Sequence, residues 1–339
     1  MKQYLVTFTP MEPYFFGNEK NFKYPGQKNS GQQSNQYFIK SELVPSQTTL
    51  LGALRYILLP VKKSDYSYTD DEKELNNNTV GKESFDFSSN EKQCFGKIKE
   101  ISPLFLVRDD DIFVATPFDH INGKKSYTPF SEYKSTMTPD GEYFYNEQFS
   151  AKEGVTASFM RLEDGKIFEY TDLFTAESRV GINCSSNENG FFKKEYVRLS
   201  KDFSFAVHAS FDDDILIEDA TVFLGQGKSV FKVNFMEQEN KVRQMLQKHL
   251  RNDVVYCFGD SFVHSDVYKN SMFAITKTKD YRAYTTQDGR VKKGSVLYKT
   301  LCAGSIFIPK DINMFINCFQ NQNAQQIGYN NLVSNMEVR

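Results

Sequence analysis

SELVPSQTTLLGALRYILLP, residues 41–60, places a proline, three small hydroxyl residues and a leucine-rich pattern side by side. The apolar residues recur at the spacing of one face of a helix. The members of that face are Leu50, Leu54, Ile57 and Leu58. Hydroxyl side chains just before it can cap the helix, where backbone N–H groups are unpaired and the helix dipole is positive, and a phosphate fits such a start. Because every helix needs a cap, simple capping is the preferred interpretation of this stretch taken alone.

Composition indicates a folded, strand-rich protein. Of the 339 residues, 40% are hydrophobic and 25% are charged, which is typical of a folded domain rather than a disordered chain. The 31 Phe and 19 Tyr fall largely in alternating runs that favour pleated strands, and there is no Trp. A chain of this length predicts two domains, or one large domain with insertions.

Charge and cysteine content argue against several classes of protein. The 41 Lys and Arg are balanced by 43 Asp and Glu, so the total lacks the basic excess of many nucleic-acid binders, although a local basic groove is compatible with it. The five cysteines are far apart and contain no C-x-x-C pair, which argues against a disulfide framework and a structural zinc site. The N-terminus lacks a secretory signal and no apolar run approaches a membrane span, so we expect a cytoplasmic protein without membrane contact.

The order of patterns along the chain suggests two halves. MKQYLVTFTP begins as a strand, and a long polar loop follows it at 17–36. Residues 61–100 are rich in charge and amide and predict an exposed insertion. A composition break at NCSSNENG leads us to divide the chain into 1–185 and 186–339. Met236 to Arg251 has the spacing of a helix.

A glycine loop, LGQGKSV at 224–230, is a candidate contact for a phosphate. It matches neither a Walker A loop nor a dinucleotide fingerprint, because the third glycine and the strand-to-helix context are missing. Its glycines still allow close approach of a backbone, and Lys228 supplies charge. A tight β-turn is the preferred interpretation of the loop in isolation.

The remaining residue types give little support for catalysis. The four histidines are widely separated, and the acidic runs fall where strands turn, so no metal site is indicated. Basic and aromatic residues interleave in GFFKKEYVRL and in KTKDYRAYTTQDGRVKKG, a combination that can stack bases and neutralise phosphates. Strand faces produce the same alternation without any ligand.

Several stretches, taken in order, resemble landmarks of a known family. They are PSQTTLLGALR, AESRVGIN followed by GFFKKEYVRL, LGQGKSVFKV, KTLCAGSIFI and IGYN. Together they are similar to the Cas5-like branch of the RAMP superfamily, and within it to the third subunit of the type III-B CRISPR Cmr complex. The resemblance implies an α+β fold of two modified ferredoxin-like (RRM-like) domains with long insertions. It also implies a β-hairpin thumb, which we place within 120–170.

The same resemblance implies a function. The chain is expected to bind the 5′ tag of the CRISPR RNA, to dock onto the large polymerase-like subunit and an adjacent backbone RAMP subunit, and to meet target RNA only indirectly. No nuclease activity, cofactor or metal is implied. The RNA-binding positions carried over from the family are Ser46, Gln47, Thr48, Thr49, Arg55, Arg179, Gly225, Gln226, Gly227 and Lys228.

Two departures from the family pattern matter. The stretch 61–100 has no clear family landmark and is interpreted as a lineage insertion, and the glycine loop differs in sequence. The loop reads GQGK where the family commonly has a fuller glycine-rich form ending in arginine, and Lys228 lacks the planar fork that grips a phosphate in two places. Arg55 lies two turns into its helix, where bracing the core is the alternative role.

Two other functions remain open from the sequence. A metal-independent RAMP endoribonuclease that processes CRISPR RNA would need an acid and a base, for which His120, His208 and Lys228 are candidates. A purely structural adaptor, in which RNA touches only neighbouring subunits, is compatible with the near-neutral charge.

Overall fold

A computed structural model gives the architecture of the chain. The structure describes residues 1–17, 21–23, 37–65, 67–89, 91–119, 134–139, 141–145, 157–183, 190–213, 215, 217–287 and 290–336.

Strands dominate the described residues. In the first part of the chain they are β1 (Lys2–Pro10), β2 (Asn21–Lys23), β3 (Tyr37–Lys40), β4 (Ile98–Ile101), β5 (Phe105–Arg108), β6 (Asp111–Ala115), β7 (Lys134–Thr138), β8 (Gly141–Tyr145), β9 (Ser158–Arg161), β10 (Ile167–Glu169) and β11 (Phe174–Asn183). The later strands are β12 (Gly190–Leu199), β13 (Ser204–Phe211), β14 (Ala220–Leu224), β15 (Ser229–Glu237), β16 (Val255–Cys257), β17 (Ser261–Phe262), β18 (Ser271–Ile275), β19 (Thr278–Gln287), β20 (Arg290–Leu301), β21 (Ile306–Pro309) and β22 (Leu332–Ser334).

The helices are fewer and mostly short. They are α1 (Gln47–Leu58), α2 (Asp70–Val80), α3 (Tyr170–Leu173), α4 (Val242–Gln247), α5 (Ile312–Asn317) and α6 (Gln322–Gln326). The predicted α+β class is therefore confirmed at the level of a mixed, mainly stranded fold. No helix among the described residues is long and apolar enough to cross a membrane.

A nine-stranded sheet forms the centre of the molecule. Its strand order is β10-β9-β6-β5-β13-β1-β15-β14, and β4 also pairs with β13. Side chains alternate between its two faces: Val6 and Phe8 of β1 enter one hydrophobic core, whereas Leu5 enters a second core on the other face. Both faces of this sheet are thus buried over much of its width.

Helix α1 completes the first core, as the apolar spacing of residues 41–60 predicts. Leu50, Leu54 and Leu58 are buried, and Ile57 packs partly buried against the same core. The helix lies against β14, whose Val222 belongs to that core. Packing of this apolar face, rather than intrinsic propensity, holds a helix of such length.

Four smaller sheets accompany the central one among the described residues. Their strand orders are β11-β12-β3-β2, β18-β21-β16-β22, β17-β20-β19 and β7-β8. The β7-β8 hairpin falls inside the range predicted for the thumb, while much of that range lies outside the described residues.

Two expectations about the organisation differ from the structure, and a third stays a prediction. Strands from both sides of the division at 185/186 pair within the central sheet, and the division itself stays a prediction. The stretch 61–100 is exposed at most of its charged residues and at many of its polar ones, but Phe85, Phe95 and Ile98 are buried in the first core. The helix predicted from Met236 to Arg251 is shorter, since β15 continues to Glu237 through its pairing with β1 and α4 begins at Val242.

Candidate nucleic-acid interface

The glycine loop is the turn between β14 and β15, as the simpler interpretation predicted. Gly225 has a φ of 74°, and a Cβ at this position would lie 2.3 Å from the carbonyl oxygen of Phe15. The next residue, Gln226, donates its backbone N–H to that same carbonyl over 3.0 Å. Only glycine fits at 225, because both the backbone angle and the close approach exclude a side chain.

The Tyr196 ring links Arg179 to this loop, because it contacts both. Its guanidinium carbon lies 4.4 Å from the centre of the Tyr196 ring. The edge of that ring is 3.3 Å from where a Cβ of Gly227 would be, and its centre is 5.5 Å from that of Phe15. Lys194 lies over Phe15 at 5.5 Å. We call Arg179, Lys194, Tyr196 and residues 225–228, together with the buried Phe15 beneath them, the glycine-loop surface.

The register of β11 and β12 explains why these side chains share a face. Arg179 is opposite Lys194, and Glu177 is opposite Tyr196, in an antiparallel pair. Opposed residues of such a pair lie on the same face, and residues two apart follow them. The alternation of GFFKKEYVRL therefore becomes a row of cation and ring on one side of the ribbon.

A carboxylate partly neutralises the positive charge of this face. Glu177 accepts hydrogen bonds from Arg179 and Arg198 over 3.1 and 3.2 Å. Arg179 first, and Arg198 after it, hold the pKa of Glu177 below its usual value. Both guanidinium groups remain about half exposed. In the loop itself Gln226, Gly227 and Lys228 are exposed.

The start of α1 is capped by its own hydroxyl groups. The Ser46 side chain accepts the backbone N–H of Thr49 over 3.2 Å. The Ser46 oxygen also lies 3.0 Å from the Thr48 hydroxyl and 2.9 Å from that of Thr49. These three residues are half-buried, and the capping role preferred from sequence is confirmed.

Gln47 faces the interior rather than this helix start. Its side chain is buried and donates to the Ser102 carbonyl over 2.8 Å. Gly328 of the IGYN landmark packs so closely that a Cβ there would meet the Gln47 amide at 1.7 Å. Gly328 and Gln47 thus pack against each other.

A short segment joins the glycine-loop surface to the region before α1. Phe15 accepts from the loop, and the neighbouring Phe16 N–H donates to Ser41 Oγ over 2.8 Å. Tyr14 donates its hydroxyl to the Leu43 carbonyl over 2.7 Å. The two predicted parts of the site are therefore linked through consecutive residues of one segment.

Arg55 does not belong to this surface. Its guanidinium donates to the carbonyl oxygens of Glu83, over 2.8 Å, and Gly81. Burial lowers its pKa. Of the two roles considered from the sequence, bracing of the core is the one the contacts support.

The candidate acid and base residues are not brought together where they are described. His208 is buried on β13, its ring stacks 5.6 Å from that of Phe105, and burial lowers its pKa to about 4. Lys228 lies instead on the exposed turn. His120 is outside the described residues. Within the described part of the chain, no group of three or more His, Cys, Asp and Glu could hold a metal ion.

Sequence reasoning missed Phe15 and Tyr196 as parts of the site. The alternation in GFFKKEYVRL contained a signal for Tyr196, because it placed that ring two residues from Lys194. Nothing local marked Phe15, since its role depends on the approach of the glycine loop from a distant part of the chain.

The model of the CRISPR-associated protein family Cas_Cmr3 matches residues 6–256, which include α1, the β11-β12 ribbon and the glycine loop. The chain belongs to this family. The similarity to the Cas5-like subunit of the type III-B Cmr complex, drawn above from short stretches, is confirmed over most of the chain.

Solved structures agree with the fold of a Cas_Cmr3 member. A chain in the cryo-EM structure of the Type III-B Cmr-beta bound to cognate target RNA matches with a TM-score of 0.55 and 14% identity, covering 98% of this chain and 96% of that chain. A chain in the structure bound to cognate target RNA and AMPPnP, state 1, gives 0.54 and 14% with the same coverage. Comparison with curated protein sequences gives no match.

Proposed function

We propose that the chain is a non-catalytic subunit of a type III-B CRISPR effector complex and binds the 5′ tag of the CRISPR RNA. Membership of the Cas_Cmr3 family supports the setting. The observation that carries the binding role is the meeting of Arg179, Tyr196 and the exposed 225–228 turn on one surface. Cations beside aromatic rings bind single-stranded RNA, because they neutralise phosphates and stack bases.

The residues carried over from the family take different parts in this proposal. Arg179 and Lys228 contact phosphate, while Gly225, Gln226 and Gly227 bring exposed backbone to the RNA. Ser46, Thr48 and Thr49 lie along the path of the tag as it approaches α1. Gln47 supports the helix from beneath through Ser102, and Arg55 supports its other end.

The finer organisation is also a proposal. We propose two modified ferredoxin-like domains, divided near 185/186, that work in the cytoplasm. The chain docks onto the large polymerase-like subunit and an adjacent backbone RAMP subunit, and meets target RNA indirectly. The thumb lies within 120–170 and includes the β7-β8 hairpin.

Removal of the two proposed phosphate-contacting charges on this surface provides the test. In the assembled complex, R179A/K228A removes two phosphate contacts and is expected to weaken tag RNA binding at least tenfold at low salt. The slope of log affinity against log salt should fall by about 1.4, at about 0.7 for each contact with a single strand. E177Q should strengthen binding, since it frees both guanidinium groups from their carboxylate.

A control variant and the salt series distinguish tag binding from a purely structural adaptor role. K73A removes an exposed lysine that is already paired on α2, and serves as the control. Unchanged affinity and slope in R179A/K228A, with the complex intact, would contradict tag binding at this surface and favour a purely structural adaptor.

A further inference from the structure

A second group of cations lies on the other face of the β11-β12 ribbon. In the parallel pair of β3 and β12, Phe38 is opposite Lys193 and Lys40 is opposite Glu195. Because successive residues of a strand alternate between faces, Lys193 and Glu195 point away from the glycine-loop surface. We call Phe38, Lys40, Lys193 and Glu195 the outer patch.

Two ammonium groups of the outer patch share one ring. The Nζ atom of Lys40 lies 5.4 Å from the centre of the Phe38 ring, and that of Lys193 lies 5.3 Å from the same centre. Lys40 also lies 3.6 Å from a Glu195 carboxylate oxygen, and its side chain is 52% exposed. Within the described part of the chain, Lys193 has no ion pair.

This arrangement carries an uncompensated charge. The attraction between each ammonium group and the ring holds the lysines beside Phe38. A single carboxylate, that of Glu195, lies within ion-pair distance of Lys40 and offsets only that charge. The phosphates of a single strand would offset the charge that remains and use the ordered positions of the two ammonium groups.

We propose that the outer patch is a second phosphate contact for single-stranded RNA, and this inference rests on the proposed function. The same chemistry occurs on the other face, where Arg179 lies over Tyr196 and Lys194 lies over Phe15. The consecutive lysines at 193 and 194 point to opposite faces of the β11-β12-β3-β2 sheet, so one RNA strand that meets both passes around the edge of this sheet at β11. Phe38 acts as a positioning residue that holds the two ammonium groups together.

The test uses the assembled complex and a synthetic CRISPR RNA that carries its 5′ tag. The affinity is measured across a range of salt concentrations for K40A/K193A. We expect weaker binding and a slope of log affinity against log salt that is smaller by about 1.4, from about 0.7 for each contact. K40R/K193R should keep the wild-type slope. F38L should weaken binding but keep the slope, because the charges remain.

Controls separate this inference from the proposed function and from misfolding. K241A/K269A removes two other exposed lysines, each paired with a nearby carboxylate, and should behave as wild type. If K40A/K193A matches this control while R179A/K228A weakens binding, the outer patch is overturned and the proposed tag site stands. If K40A/K193A weakens binding of a purified neighbouring subunit and leaves the RNA slope unchanged, the patch binds protein and the inference is wrong.

If only K40A/K193A lowers the slope, the outer patch is supported and the proposed tag site fails. Circular dichroism and a thermal melt of each variant show that the compared chains are folded.

Discussion

Arg55 shows how a residue carried over from a family can have a structural role. Its two hydrogen bonds reach backbone carbonyls of 81–83, the segment that joins α2 to the buried Phe85. R55A should lower the free energy of unfolding by roughly 2 kcal/mol, the scale of hydrogen bonds from a charged donor. Urea unfolding measures this loss. RNA affinity should stay unchanged, and a large loss of affinity in a stable R55A protein would contradict this assignment.

Position 225 accepts only glycine. A φ of 74° and an approach of 2.3 Å to the Phe15 carbonyl leave no room for a methyl group. We expect G225A to destabilise the protein by about 1–3 kcal/mol, with loss of RNA binding as the turn shifts. G52A is the matched control, because a Cβ on that exposed helical glycine meets nothing within 4 Å. It should instead stabilise the protein by about 0.5–1 kcal/mol.

His208 makes stability depend on pH. Burial lowers its pKa to about 4 in the folded protein, against about 6.5 when unfolded. The unfolded chain therefore binds more protons between these values, and stability is fully present above pH 6.5 and falls as the pH drops toward 4. The slope is at most about 1.4 kcal/mol per pH unit. Urea unfolding at several pH values should show a shallower loss for H208Q, and equal slopes would contradict the account.

At the scale of elements, Ser46 caps α1 whether or not RNA binds there. A test of RNA binding at this helix start must therefore keep the cap. S46A should cost about 1 kcal/mol, because the cap is lost whether or not RNA binds there. S46D keeps a good cap, so stability should be retained, but it adds a negative charge beside the proposed tag path. We expect a roughly fivefold loss of RNA affinity, the scale of a like-charge contact of about 1 kcal/mol. Unchanged affinity would leave the helix start with capping only.

Elements with a strong local period were predictable, and those set by distant pairing were not. Helix α1 follows from its apolar spacing, and the turn at 225–228 follows from its glycines. The end of β15 does not, because Glu237 is held in the sheet by pairing with Tyr4. The buried rings at 85 and 95 were likewise hidden, since the charged residues around them dominate the composition of 61–100.

The candidate site was partly predictable for the same reason. Arg179 and the 225–228 loop were carried over from the family, and the structure brings them together at Tyr196. Their contact depends on the register of β11 with β12 and on the approach of a turn from another sheet. Neither follows from local spacing. Arg55 was grouped with them because the family resemblance carried all of these positions over together.

At the scale of the whole molecule, the near-neutral chain carries the cations of both proposed RNA contacts in one region. The formal charge is −2, yet the β11-β12 ribbon carries cations beside rings on both faces. A protein with this distribution should bind RNA locally and present most of its surface to neighbouring subunits.

The most direct test of the central claim is a map of RNA cross-links in the assembled complex. The chain is purified with its neighbouring large subunit, the bound RNA is sequenced, and contact residues are identified after irradiation. We predict small RNAs that share one 5′ tag, cross-linked at Tyr196 and within 225–228. An intact complex whose tag cross-links only to other subunits would contradict the account and leave this chain a protein adaptor.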